Sequence, residues 1–368
     1  MVQNIPMVDL RSHFAPLRTE ILEGIGQILD DSAFILGAQG RALESELSQY
    51  LGVAHGIGCA SGTDALLLAL RALDIGPGDE VIVPSFTFIA TAEAVRYVGA
   101  TPVFADVEPE YFCITAATVE PLLSPRTRAI IPVHLYGQAA PMDELLDLSQ
   151  RHQLPIIEDM AQAIGARWQE RRLGSLGTLS CVSFFPSKNL GGAGDGGMVF
   201  TQDDALAEKL RGLRNHGSWQ TYHHDVLGYN SRLDEIQALI LRKLFQRLDQ
   251  YNAGRRRAAA LYDQALAELP LQRPSRRVGA EHVFHQYTIQ VQDRDGLRQK
   301  LQAQGIASGV YYPIPCHLQQ AFADLPKVHC PQAEALKDRV LSLPMFPELQ
   351  ESQVARIAEV IAEHLRKS

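Results

Sequence analysis

Between about residue 50 and residue 210, short apolar runs alternate with helix-like stretches, and this alternation constrains the fold more than any other feature. Val81-Ile82-Val83-Pro84, Pro102-Val103-Phe104-Ala105-Asp106, Ala129-Ile130-Ile131-Pro132-Val133 and Leu154-Pro155-Ile156-Ile157-Glu158-Asp159 are apolar almost throughout. A strand with one wet face alternates apolar and polar residues, whereas a continuous run suits a strand covered on both faces. Helical candidates, such as Ala65 to Leu73 and Met142 to His152, separate these runs. This pattern predicts a parallel sheet wrapped by helices, with ligands gathering at the carboxyl ends of the strands.

Farther along, the texture changes. Ser231 to about Leu266 reads as one long helix, with Arg255-Arg256-Arg257 on a solvated face. A short strand (Gln286 to Val291), a helix (Arg294 to Gln304), a Pro-rich stretch (Pro313 to His317) and a terminal helix (Glu351 to Leu365) follow. Two domains are expected: a large one over 1–250, which includes the N-terminal segment, and a smaller C-terminal α/β domain over 251–368. The length of 368 residues agrees, at roughly 150 residues per domain.

Composition excludes several function classes. With 46% hydrophobic residues the chain has ample material for a core, so overall disorder is ruled out. A net charge of -8 argues against a dedicated nucleic-acid binder, which needs a basic face. An anionic small ligand remains open, because a helix N-terminus or a few local cations suffice. The five cysteines are scattered without CxxC spacing, so neither a zinc site nor a disulfide scaffold is suggested. His223-His224-Asp225 and the pair His282 and His285 read as solvated or substrate-loop histidines, and no metal is expected. The longest apolar run, Ala65 to Leu70, is far short of a membrane span, and no basic region followed by an apolar stretch opens the chain. A cytoplasmic setting is expected.

Three segments carry chemistry. In Ser183-Phe184-Phe185-Pro186-Ser187-Lys188-Asn189-Leu190-Gly191 a lysine sits among aromatic, hydroxyl and glycine residues. Taken alone it could be a snorkelling surface lysine, but a desolvated lysine of lowered pKa is what a Schiff base needs. The strand ending Glu158-Asp159 places a carboxylate at the ligand edge, where pyridoxal phosphate needs one beside its ring nitrogen. Asp159 could instead merely cap a helix. Ala60-Ser61-Gly62-Thr63-Asp64-Ala65-Leu66 is glycine and hydroxyls opening an apolar helix, which makes an anion cradle as well as an ordinary helix start. Ser183 could add a hydroxyl, and Phe86 and Phe88 could stack on a flat ring or belong to the core.

Assembled, these residues resemble the DegT/DnrJ/StrS family of pyridoxal-phosphate-dependent nucleotide-sugar aminotransferases. The likeness runs through nearly the whole chain. It includes Phe34-Ile35-Leu36-Gly37, Ser61-Gly62-Thr63-Asp64-Ala65-Leu66, Gly78 to Phe88, Leu135-Tyr136-Gly137-Gln138 and Glu158-Asp159-Met160-Ala161-Gln162. It continues through Phe184 to Gly191, Gly194-Asp195-Gly196-Gly197, Asn230 to Ala238, Tyr312-Pro313-Ile314-Pro315 and Leu341 to Pro347.

The resemblance implies an aspartate-aminotransferase-like fold, pyridoxal phosphate fold type I. Its large domain has a mostly parallel seven-stranded sheet wrapped by helices, and its C-terminal α/β domain is smaller. By the same resemblance Lys188 bonds the coenzyme covalently and shuttles protons, and Asp159 pairs with the pyridinium. Gln162 bonds the phenolic oxygen, Gly62, Thr63 and Ser183 hold the phosphate, and Phe88 stacks on the ring. Asn230 reaches the phosphate of a neighbouring subunit in a homodimer, with Arg232 near the substrate. Tyr312 and His317 match a loop lining the sugar pocket. Met160 and Tyr311 depart from the family pattern, Tyr311 standing where many relatives have histidine.

The implied reaction is ping-pong, with L-glutamate as donor, 2-oxoglutarate as its product and a nucleotide-linked keto-sugar as acceptor. The Ser-Gly-Thr-Asp-Ala-Leu form of the cradle resembles members acting on 3-keto sugars, for amino sugars of lipopolysaccharide or another glycan. A 4-keto acceptor of the same family is the alternative, and the nucleotide, UDP or dTDP, stays open. Gly192-Ala193-Gly194-Asp195-Gly196-Gly197 also fits a dinucleotide fingerprint, but Met198-Val199-Phe200 after it reads as a strand rather than a helix. A non-enzymatic regulator would be expected to lose Lys188 or to carry a DNA-binding segment, and neither is seen.

Overall fold

A computed structural model of the chain describes residues 4–366. The sheet has seven strands, β1 (His55–Cys59), β2 (Glu80–Pro84), β3 (Thr101–Ala105), β4 (Thr127–Ile130), β5 (Ile157–Asp159), β6 (Leu179–Ser183) and β7 (Gly197–Thr201), of which the four continuous apolar runs supply β2 to β5. β2 pairs in parallel with β3 and β4, and β5 in parallel with β6. Parallel bridges Ile130–Ile156 and Val133–Asp159 join β4 to β5. β7 is antiparallel to β6 on one side and β1 on the other. The seven strands therefore lie in the order β3-β2-β4-β5-β6-β7-β1, with only β7 reversed.

That reversal puts the start of β7 at the same edge as the ends of β1 and β6, with Gly197 opposite Cys59 and Ser183. The glycine-rich segment 192–197 is thus a link between antiparallel strands, not a helix opening. Gly197 must be glycine, because a Cβ there would run into the Ser61 carbonyl. Helices α1 (Gly62–Ala72), α2 (Ala90–Tyr97), α3 (Met142–His152) and α4 (Asp204–Leu213) cover the sheet. α1 illustrates how: Leu66, Leu67, Leu68, Ala69 and Leu70 are all buried.

The helix expected over Ser231 to Leu266 is two, α5 (Glu235–Phe245) and α6 (Leu248–Ala265). Arg247, at φ −113 and ψ 3, leaves the helical region, and its N–H turns to the Leu244 carbonyl. The break lets Leu248 and Tyr251 enter the large apolar cluster, while Ala258, Ala259 and Tyr262 enter a second one with the C-terminal residues. That second cluster also takes Ile5, bridged to Ile306, so the N-terminal strap packs on the C-terminal part. Its strands are β8 (Tyr287–Gln290) and β9 (Val340–Leu343), antiparallel, with helices α7 (Arg294–Ala303) and α8 (Glu351–Leu365).

Arg255 does not lie on a solvated face. It is buried, and one guanidinium nitrogen donates to the carbonyls of Phe284, His285 and Met345. The helix turns this residue inward while Arg256 and Arg257 stay nearer solvent. His282 and His285 are buried as well, not solvated. Among the described residues no helix is long and apolar enough to cross a membrane.

Candidate active site

A cavity of about 490 Å³ opens at the carboxyl edge of the sheet. It is lined by Gly62, Thr63, Phe88, Asp159, Gln162, Ser183, Lys188 and Tyr312, eight of the eleven residues expected to form the site.

The floor is electrostatic. Asp159 ends β5, is buried, and keeps both oxygens bonded: Thr91 Oγ1 donates to Oδ2 at 2.9 Å and the Ala161 N–H to Oδ1 at 3.1 Å. Burial raises its pKa from the ordinary value, opposed by those two bonds and by the Lys188 charge. Lys188 stands half-buried on the loop after β6, its N–H bonded to the Phe185 carbonyl at 2.8 Å. Desolvation lowers its pKa to about 8, with Asp159 pulling the other way. A lysine so shifted reaches its reactive neutral form near physiological pH.

The cradle is the start of α1. Ser61 caps it, its Oγ accepting from the Asp64 N–H at 3.1 Å. Gly62 presses so closely on Ser183 that a Cβ would stand 2.6 Å from the Ser183 Cβ. Free N–H groups, the helix dipole and two hydroxyls therefore converge on one small space, as a phosphate requires.

On the remaining wall, Gln162 is held at both ends. Its Oε1 accepts from the Tyr136 N–H at 2.7 Å, and its Nε2 donates to the Tyr312 hydroxyl at 3.1 Å. The Tyr136 hydroxyl donates to the Tyr311 carbonyl. Phe88 keeps about half its surface exposed, its ring 6.1 Å from that of Tyr312. Phe86, by contrast, is fully buried in the core. Pyridoxal phosphate fits these residues: a carboxylate for its ring nitrogen, an amine for its aldehyde, an anion cradle and a flat aromatic face.

Asn230, Arg232 and His317 lie outside this cavity. Asn230 is exposed and bridged to Asn215, and Arg232 donates to Asn215 Oδ1 at 3.2 Å. The His317 side chain turns away from the cavity, where it is buried beside Phe104 and bonded to Glu334 at 3.3 Å.

Other residues that shape the site, Ser231 and Glu158 among them, lie within the quoted motifs but are given no role by the sequence. Ser231 donates to Asp64 Oδ2 at 2.6 Å and accepts from the Ala60 N–H, tying the Asn-Ser-Arg segment to the cradle. Glu158, beside Asp159, is fully buried and takes four donors: the N–H groups of Gly174, Leu176 and Gly177, and His134 Nε2 at 3.1 Å. His134 Nδ1 accepts from the Ala140 N–H, so its proton is on Nε2. Burial alone would raise Glu158, but the His134 and backbone bonds outweigh it and hold the carboxyl below its ordinary range. Tyr311 and Asp195 also border the cavity.

A family model described as the DegT/DnrJ/EryC1/StrS aminotransferase family matches residues 16–362. The chain belongs to that family. Among DegT/DnrJ/EryC1/StrS proteins it is 65% identical, over 99% of its length and 100% of the relative's, to the UDP-N-acetyl-3-dehydro-alpha-D-glucosamine 3-aminotransferase of Acidithiobacillus ferrooxidans. A Geobacillus stearothermophilus relative named pleiotropic regulatory protein is 49% identical, over 99% of each chain. The crystal structure of Streptomyces venezuelae DesV with a ketimine intermediate superposes with a TM-score of 0.95, at 45% identity and 98% of each chain. The fold-type-I architecture expected of this DegT/DnrJ/EryC1/StrS member is therefore found.

Proposed function

We propose that this chain is a pyridoxal-phosphate-dependent aminotransferase that moves an amino group from L-glutamate to the 3-keto position of a nucleotide-linked sugar. The observation that carries the reading is Lys188 and Asp159 in one cavity with the N-terminus of α1. The 3-position follows the relative at 65% identity. On the same support we take the acceptor to be UDP-linked 3-keto-N-acetylglucosamine, in place of the dTDP-linked or 4-keto alternatives. The intact lysine and carboxylate favour an enzyme over the regulatory role that the Geobacillus relative's name suggests.

When bound, pyridoxal phosphate supplies an electron sink for the carbon that gives up or receives the amine. Asp159 keeps a proton on the ring nitrogen. Gly62, Thr63 and Ser183 bind the phosphate, Gln162 the phenolic oxygen, and Phe88 packs on the ring. Lys188 bonds the coenzyme at rest, then carries a proton to and from the reacting carbon once its amine is released. Tyr312 borders the space left for the sugar. Asn230 and Arg232, outside their own cavity, are assigned to the site of a second copy in a homodimer. His317 is given no substrate contact; its bond to Glu334 holds the loop instead.

We place the reaction in the cytoplasm, its product entering lipopolysaccharide or another glycan. The domain division near residue 250 also stands as a proposal, with α6 as the connecting element. The test is a panel of UDP- and dTDP-linked 3-keto and 4-keto sugars with L-glutamate, products read by mass spectrometry, together with borohydride trapping and peptide mapping. Amination of the UDP 3-keto sugar and label on Lys188 are expected. Label on another lysine, or on none, overturns the reading.

A further inference from the structure

Behind one wall of the cavity runs a hydrogen-bonded chain in which each orientation is dictated. Asn252 Nδ2 donates to the Ile164 carbonyl at 3.1 Å, which leaves its Oδ1 to accept from Asn189 Nδ2 at 2.8 Å. The same Asn189 Nδ2 donates to the Val283 carbonyl at 3.1 Å. Carbonyls only accept, so neither amide can be turned round. Asn189 Oδ1 is thus an acceptor, and His285 Nδ1, 3.2 Å from it, carries the proton. Burial, with the charges of Lys188 and Arg255, holds the His285 pKa well below its ordinary value, so the ring is neutral. A neutral imidazole has one N–H, and His285 Nε2 therefore bears a free lone pair. His285 lines the same cavity as Lys188, and the residue that sets its tautomer, Asn189, directly follows Lys188 in the chain.

We propose that His285 is a positioning residue whose Nε2 accepts a hydrogen bond from the Lys188 ammonium whenever that amine is released from the coenzyme. The contact keeps the proton carrier at the reacting carbon and favours its charged form. His285 itself neither gains nor loses a proton. The inference rests on the reading of Lys188 as the amine that bonds the coenzyme.

The experiment uses holoenzyme labelled with ¹⁵N-histidine, converted by L-glutamate from the resting to the pyridoxamine form. His285 Nε2, assigned by its loss in His285→Gln, is expected at an unprotonated position in both forms and shifted upfield in the second, where Lys188 is free. In the return half-reaction, where Lys188 must first take a proton as the neutral amine, His285→Leu should slow single turnover about tenfold and move the acid limb down by about one pH unit, the worth of one charge-assisted bond. His285→Gln, which keeps an acceptor, should recover most of both. An Nε2 resonance that is protonated, or unmoved between the two forms, overturns the inference, as does an acid limb unmoved in His285→Leu. Because the nitrogen shift is read on the wild-type chain, a leucine variant that fails to fold leaves the test intact. Borohydride label on Lys188 with an unmoved nitrogen sinks this inference alone; label elsewhere sinks the assignment of Lys188.

Discussion

The Thr91 hydroxyl, on the helix after the β2 loop, donates to Asp159 Oδ2 at 2.9 Å while its oxygen lies 3.4 Å from Thr87 Oγ1. Donation to Asp159 leaves Thr91 as the acceptor from Thr87, so the carboxylate stands at the end of a two-hydroxyl chain. Thr91→Val keeps the shape and removes the donor. A hydrogen bond to a charged group is worth about 1.5–3 kcal/mol, so turnover should fall roughly ten- to a hundredfold. Steady-state rates with the coenzyme saturating check this, and an unchanged rate removes Thr91 from the site.

Asp159→Asn should leave the fold in place and cripple the reaction, because a carboxamide cannot hold the ring nitrogen protonated. A loss of about two orders of magnitude or more is expected, with circular dichroism unchanged. Wild-type turnover would take Asp159 out of its role.

Lys188 gives a pH signature without the coenzyme. Its folded pKa, about 8, lies below that of an unfolded lysine, so between the two values the unfolded chain binds more protons. Stability of the coenzyme-free protein therefore rises with pH from about 8 upward, and below that the desolvated ammonium is a full burden. Lys188→Met should melt higher than wild type at pH 7, the gap narrowing through the alkaline range. A gap constant with pH would mean that Lys188 is not desolvated.

Glu158→Gln should be costly even though it touches no substrate. The carboxylate takes four donors, and a carboxamide presents an N–H to one pair of them. Breaking a buried charged network of this kind costs about 3 kcal/mol or more. A lowered carboxyl pKa also means that its contribution is present above the unfolded pKa and is lost as pH falls through the folded one. Melting curves against pH, on the coenzyme-free protein, separate the two variants: the deficit of Glu158→Gln should shrink in acid.

What the sequence by itself determined is the set of groups that chemistry requires at the ends of consecutive strands. The cradle at Gly62 and Thr63, the acid at Asp159 and the lysine at Lys188 each sit in a segment whose local pattern announces a strand end or a helix start. The four continuous runs at Val81, Pro102, Ala129 and Leu154 announce buried strands, whereas the order of the seven strands is set by pairing between segments. Tertiary structure alone decided the rest. The clamp on Glu158, the Thr91 donor, the tautomer of His285 and the inward turn of Arg255 all join segments distant in the chain. His317 shows the converse: its place in a motif pointed to the sugar pocket, but packing against Phe104 and a bond to Glu334 turned its ring away. The break between α5 and α6 was hidden for a similar reason. Helical periodicity continues through Arg247, and the break shows only in the backbone, where its N–H turns to the Leu244 carbonyl. Local pattern records what one segment prefers, whereas hydrogen-bond partners are set by which segments the fold brings together.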